Sequence, residues 1–579
     1  MKYNDVHKTL WSTSLIILNL FVFISQGTAQ SPIYSSEDIH HPIVAKHGMV
    51  ASQHAIATQV GLDILKKGGN AVDAAVAVGY ALAVVLPRAG NIGGGGFMVV
   101  HDAKSGQTKA INYREMAPAA ANRDLFLDEN GNVDRTLTNT SYISTGVPGT
   151  VAGFSMALEK YGTMSRKEVM EPAIKLAKKG FPVTTDLSRL LRVMTSRLQH
   201  WPATKEIFYK ENGGFYEAGE LLVQEDLAKS LKAISKQGPE AFYKGEVAEK
   251  LVAAMGKNGG IVTMEDLANY EPYETDVVWG SYNGYQIASM PPPSSGGVHL
   301  IQMLNILESF PLSDYGPNSS RTIHHMAEAM KLAYADRSEY LGDPYFWDVP
   351  VKQLTSKEYA MDLVKEMDQN SATPSSSIAP GDIQDYESEE TTHFSVVDKW
   401  GNVVTNTYTL NFSFGNGAVA DGTGILLNNE MDDFSAKPGE PNGYGLIGGE
   451  ANAIEPGKRP LSSMTPTIVF KDNKPFLVTG SPGGSRIITT VLQVVLNTLT
   501  HDMNVAEASH APRIHHQWLP DVLFVEGALN PDTKMLLEWL GHKVETRNAM
   551  GSTQSIMIKD GLLFGASDPR RPDGTTMGY

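Results

Sequence analysis

The sequence has no cysteine among its 579 residues. Disulfides, thiolate zinc sites, iron–sulfur clusters and a cysteine nucleophile are therefore excluded, and the chain suits an oxidising compartment. Positive charge is scarce and scattered. There are 48 Lys and Arg against 64 Asp and Glu, a formal net charge of −16, and no basic block. Nucleic acid and anionic membrane surfaces demand clustered cations that replace counterions, so neither is expected as a partner. Beyond the first thirty residues no run is apolar enough to span a bilayer. A GxSxG elbow, an HExxH helix and a GxxxxGKS/T phosphate loop are also missing. What is present is a chain with 42% apolar and 19% charged residues, inside the globular range and unlike disordered, collagenous or coiled-coil sequences.

The compartment is read from the start of the chain. Lys2 and Lys8 precede an apolar run from Leu15 to Ile24, broken by Asn19 and followed by Ser25-Gln26-Gly27-Thr28-Ala29. Small residues at Gly27 and Ala29 predict a secretory signal over residues 1–29, cut after Ala29. About ten strongly apolar residues fall short of the roughly 20 that an anchor helix needs. The expectation is an exported protein, periplasmic in a Gram-negative source, with no membrane contact once the signal is removed.

Helical periodicity predicts helices at Ala51–Lys67, at Ala71–Val85 with Asn70 as N-cap and Asp73 at the third position, at Thr322–Tyr334 and at Ile487–Leu499. Strand-like runs are Phe97–His101, Lys109–Tyr113, Thr392–Asp398, Asn402–Leu410, Thr467–Phe470 and Phe476–Thr479. Their irregular alternation favours layered α/β or α+β packing. The one compositional break is Asn370–Glu390, rich in Ser, Pro, Asp and Glu, which reads as an exposed, cleavable segment before Thr391.

Two tempting motifs carry little. Gly93–Gly96 follows a helix closed by Pro87 and opens a strand, so it reads as close backbone approach and not as a dinucleotide loop. His324, His325 and Glu328 share a helix, but adjacent histidines point about 100° apart, so a packed or surface reading is preferred to metal ligation. No metal or organic cofactor is expected.

Two other features fit one chemistry. Gly480-Ser481-Pro482-Gly483-Gly484-Ser485-Arg486 lies between a strand and a helix start, where backbone N–H groups on glycines suit a carboxylate or a developing oxyanion. No Lys follows, which disfavours a nucleotide phosphate; a plain turn is the competing reading. Separately, Thr391 opens a strand that returns through Lys399-Trp400-Gly401 as a hairpin. Pairing Asp398 with Asn402 or Val403 sets Thr391 opposite Thr409 or Leu410, with Thr407, Thr409 and Asn411 on one face.

Thr391-Thr392-His393-Phe394-Ser395-Val396-Val397-Asp398, Asn428-Asn429-Glu430-Met431-Asp432-Asp433-Phe434, Arg459-Pro460-Leu461-Ser462-Ser463-Met464, Gly480–Arg486 and Gly565-Ala566-Ser567-Asp568-Pro569-Arg570 occur in this order. Together they resemble the γ-glutamyltransferases, especially bacterial secreted ones, from about Ile43 to Tyr579. The resemblance implies an α+β fold, the four-layer αββα sandwich of N-terminal-nucleophile hydrolases. It also implies a precursor cut at Glu390–Thr391 into a large subunit (30–390) and a small one (391–579) that stay together.

By the same resemblance Thr391 is the nucleophile, with its liberated amine as general base. Thr409 hydrogen-bonds the nucleophile, and Gly483 and Gly484 are the oxyanion donors. Arg114 takes the α-carboxylate of a γ-glutamyl donor with Ser462 and Ser463, whereas the residues alone suggest a surface Arg114–Glu115 pair. Asn411, Glu430 and Asp433 accept from the α-ammonium, and Tyr444, within Pro438–Gly449, belongs to a lid. The implied donors are glutathione and similar γ-glutamyl amides; the acceptors are water, an amino acid or a dipeptide. Glu430 departs from the Gln of most bacterial relatives, and either holds the ammonium more strongly or stays partly protonated beside Asp433. Two alternatives are an acylase of the same superfamily acting on a glutaryl or cephalosporin side chain, and a non-catalytic periplasmic γ-glutamyl binding protein. Paired ammonium acceptors argue against the first.

Overall fold

The structure is a computed structural model and describes residues 38–378 and 391–579. The expected signal segment and Glu390 lie outside the described residues. The main body is Pro42–Tyr579.

Two seven-stranded antiparallel sheets form its centre. In the first, the order across the sheet is Thr575–Gly578, Met49–Ser52, Thr392–Val397, Val403–Thr409, Gly95–Asp102, Gln107–Tyr113 and Tyr273–Asp276. In the second it is Ile43–Ala45, Leu562–Ser567, Gln554–Lys559, Lys474–Thr479, Thr467–Lys471, Tyr285–Ser289 and Val278–Tyr282. Each sheet thus interleaves strands from before and after residue 391. The sheets pack face to face through Thr392–Val397 on Gln554–Lys559 and Val403–Thr409 on Lys474–Thr479. Helices Ala55–Lys66 and Ala71–Val85 cover the outer face of the first sheet. Gly296–Leu307 covers that of the second and packs in turn on Ser320–Tyr340 and Ile487–Leu499. The result is the expected αββα sandwich.

The local reasons are visible in the sequence. Asn70 accepts from Val72 N and Asp73 N, both at 3.0 Å, while Asp73 Oδ2 accepts from Asn70 N at 2.8 Å, a complete capping box that starts a helix buried along its whole length. Asp398 ties this helix to the hairpin. Its Oδ2 accepts from Ala71 N at 2.9 Å, and its Oδ1 accepts from Trp400 N at 2.8 Å and Asn402 N at 3.0 Å in the turn. Gly401, at φ +87°, closes that turn. The glycine run does permit close approach: a Cβ at Gly94 would lie 2.0 Å from Thr409 O and one at Gly96 2.4 Å from Thr407 O.

One expected helix is corrected. The first helix begins at Ala55, not Ala51, because Met49–Ser52 is a strand paired with Thr392–Val397 and Thr575–Gly578.

Candidate active site

Thr391 immediately precedes the strand Thr392–Val397. That strand pairs Thr392 with Tyr408 and Val397 with Val403, so the register found is the one that sets Thr391 opposite Thr409. Thr391 Oγ1 donates to Thr409 Oγ1 at 3.4 Å. Thr409 Oγ1 also accepts from Asn411 N at 2.9 Å, in a bend where Asn411 adopts φ +72°. Asn411 spends its Nδ2 on Asn429 O at 3.0 Å, which leaves its side-chain oxygen as an acceptor.

These residues line a half-open pocket together with Arg114, Glu430, Asp433, Tyr444, Ser462, Ser463 and Gly484. Every expected site residue among the described ones is therefore brought to one cavity, apart from Gly483, which stands just behind Gly484. Gly483 and Gly484 adopt φ +137° and +54° in the loop between the strand Lys474–Thr479 and the helix Ile487–Leu499. Only glycine takes these angles without strain. The loop is seated on His393: a Cβ at Gly480 would fall 2.3 Å from the His393 ring. That ring is held by Thr407 Oγ1 at 2.8 Å and Ser395 Oγ at 3.2 Å, and burial lowers its pKa to about 3, so it is neutral. Tyr444 donates to Asn411 O at 2.6 Å and meets the Phe412 ring edge-on, closing one side of the cavity.

Arg114 corrects the surface-pair expectation. Arg114 and Glu115 are both fully buried, because they leave an interior strand of the first sheet and pass beneath Tyr270 and the Pro460–Leu461 turn. Arg114 Nη1 donates to Glu430 Oε1 and Nη2 to Asp433 Oδ2. Its Nε donates to Pro460 O at 3.1 Å. Glu115 Oε2 stands 3.8 Å from Nη1, too far for a hydrogen bond. Burial opposes the charge on Arg114, but Glu430, Asp433 and Glu115 outweigh it and hold the guanidinium above its ordinary value. Burial likewise pushes the Glu430 carboxyl well above the carboxylate range, with Arg114 opposing and Glu115 adding to the rise. Glu115 is raised to about 7, first by burial.

The serines are fixed from behind. Ser295 N and Ser295 Oγ each donate to Ser462 O at 2.8 Å, and Arg337 Nη2 donates to Ser463 Oγ at 3.4 Å. Ser295 and Arg337 had no signal in the sequence, and neither did the burial of Glu115. Their roles depend on burial by segments more than a hundred residues distant.

The histidine cluster is packed, as expected. His324, with Glu328 and the distant His542, forms a buried group, but His324 Nδ1 meets His542 Nε2 at 2.9 Å and His324 Nε2 meets Asp368 O at 2.9 Å. Lys331 donates to Glu328 at 2.8 Å beside them.

The family model described as Gamma-glutamyltranspeptidase matches residues 57–578. The chain belongs to that family. Within the gamma-glutamyltranspeptidase family it is similar to a glutathione hydrolase proenzyme of Escherichia coli strain K12, at 60% identity over 94% of each chain. Among solved structures it resembles the gamma-glutamyltranspeptidase of Helicobacter pylori, with 45% identity, a TM-score of 0.56, and coverage of 61% of this chain and 99% of that one. It also resembles a cephalosporin acylase from Bacillus halodurans, with 30% identity, a TM-score of 0.84, and coverage of 95% and 98%.

Proposed function

We propose that the chain is a γ-glutamyl transferase and hydrolase that acts on glutathione-like γ-glutamyl amides after cutting itself at Glu390–Thr391. The observation that carries this reading is the pairing, in one pocket beside the Thr391 hydroxyl, of a buried guanidinium with the buried Glu430 carboxyl and the partly buried Asp433 carboxylate. An α-amino acid head is a zwitterion and needs both signs, with Arg114 and the Ser462–Ser463 pair at its carboxylate and Asn411, Glu430 and Asp433 at its ammonium. A glutaryl side chain has no ammonium for the second set. The similarity to the acylase therefore supports the fold, and the 60% identity to a glutathione hydrolase supports the chemistry.

In the cut, Thr391 Oγ attacks the Glu390 carbonyl, the C–N bond breaks, and the resulting ester is opened by water, leaving a carboxylate on 390 and a free amine on Thr391. In turnover that amine, with an intrinsic pKa of about 8, takes the Thr391 hydroxyl proton as Oγ attacks the γ-carbonyl. The N–H groups of Gly483 and Gly484 receive the oxyanion, the leaving amine takes the proton, and a γ-glutamyl ester remains. Water or an amino group then accepts the acyl group. Residues 30–390 form the large subunit and 391–579 the small one. The segment 1–29 directs the chain to the periplasm and is removed.

Thr391 variants test this. Thr391→Ala lacks the oxygen both steps need, so it should accumulate uncut and inactive on a denaturing gel. Thr391→Ser should cut, more slowly, and retain some activity on a chromogenic γ-glutamyl anilide, with release enhanced by Gly-Gly. Purified Thr391→Ala that is cut at the same bond refutes self-cleavage.

A further inference from the structure

Arg337 lies in the last turn of the helix Ser320–Tyr340, behind the cavity and 5% exposed. No carboxylate oxygen of the described residues comes within 4.0 Å of it, the limit for an ion pair. Its donors go to two hydroxyls: Nε to Ser295 Oγ at 3.0 Å and Nη2 to Ser463 Oγ at 3.4 Å. A buried guanidinium that meets only neutral oxygens is costly, and its charge is felt by whatever anion comes next. Burial accordingly lowers its pKa to about 10, although Tyr334 and, from further off, Asp433 favour the charge.

Of the two serines in contact with Arg337, Ser463 lines the carboxylate end of the pocket, and Ser295 stands behind its neighbour Ser462. Ser463 accepts from Arg337, so its own proton is turned away from the guanidinium and is strengthened as a donor. Ser295, anchored on Nε, holds the Ser462 carbonyl through both its N–H and its hydroxyl. Arg114, by contrast, has its charge offset by Glu430 and Asp433. The positive potential behind the serines therefore comes from Arg337.

We propose that Arg337 is a positioning residue for donor recognition: through Ser463 and Ser295 it aims the serine hydroxyls at the α-carboxylate of the γ-glutamyl head and supplies the charge behind them. The inference rests on the γ-glutamyl reading above.

Three anilide donors separate the two claims: γ-glutamyl, glutaryl (carboxylate without ammonium) and γ-aminobutyryl (ammonium without carboxylate). Arg337→Lys and Arg337→Gln, verified as cut chains, should raise KM for the first two by about tenfold or more and leave kcat and the KM for γ-aminobutyryl anilide within about twofold. If the Gln variant stays uncut, the Lys variant carries the test, since it keeps length and charge. Combined with Ser463→Ala, either change should add less than its full factor, because the Ser463 hydroxyl is shared by the two. Losses of equal factor on all three donors, or full additivity with Ser463→Ala, overturn the inference while the γ-glutamyl reading stands. A parent enzyme that turns over all three donors alike overturns that reading, and the inference with it.

Discussion

Arg114 meets both carboxylates that the proposed function assigns to a substrate ammonium, so on that proposal the binding of a γ-glutamyl head would be an exchange of ion pairs. On the proposed function the incoming carboxylate would take the guanidinium, and the incoming ammonium would take Glu430 and Asp433. A ligand with only one of these groups breaks contacts that it cannot replace and leaves a buried charge unpaired. Lysine at 114 keeps the charge but loses the planar fork that serves both partners. Arg114→Lys should therefore raise KM for the γ-glutamyl anilide by at least about tenfold while the chain is still cut. An unchanged KM removes Arg114 from donor binding. Glu430 calls for a subtler test. Its carboxyl is held above the usual range by burial and by Glu115, so it is protonated at low pH and ionises as pH rises through the raised value. Glutamine imitates the protonated form. Glu430→Gln and the parent should share one KM in mildly acidic buffer, and the parent should become the tighter binder as pH increases. A variant already impaired about tenfold in acid means that Glu430 is ionised when the donor binds.

At the scale of elements, the loop that carries Gly483 and Gly484 is only as well placed as its support. A methyl at Gly480 collides with the His393 ring, which two hydrogen bonds hold in place. Gly480→Ala should displace the loop and lower kcat, on the order of a hundredfold if one oxyanion donor is lost. Adding His393→Ala should open the space and recover part of the rate. No recovery means that Gly480 matters for another reason. This support was not legible in the sequence, whereas much around it was. The helix Ala71–Val85 and the hairpin register follow from neighbours: Asn70 and Asp73 cap the one, and the Asp398–Gly401 turn sets the other. The start of the first helix was misplaced because Met49–Ser52 reads locally as helix, and only partners more than three hundred residues away make it a strand. The cavity residues come from seven separated stretches. Their types were legible through family resemblance, but the burial of Glu115 and Arg337 is a product of tertiary packing alone.

At the scale of the molecule, the interleaved sheets decide what a cut at residue 391 does. Met49–Ser52 lies between Thr575–Gly578 and Thr392–Val397, and in the second sheet four strands from after the cut stand between Ile43–Ala45 and Tyr285–Ser289. Two chains so woven cannot part without dismantling both sheets, so they should co-elute under native conditions and separate only on unfolding. After denaturation the recovery of the cut form should fall on dilution, since refolding has become a meeting of two molecules, whereas uncut Thr391→Ala should refold independently of concentration. Equal recovery at all dilutions would mean that the chains never separate. The interleaving thus gives the cut protein a history: its shape was reached by a covalent chain that no longer exists once the bond is broken. Its working life is then governed by how slowly it comes apart, and each molecule that does come apart is, at cellular dilution, spent.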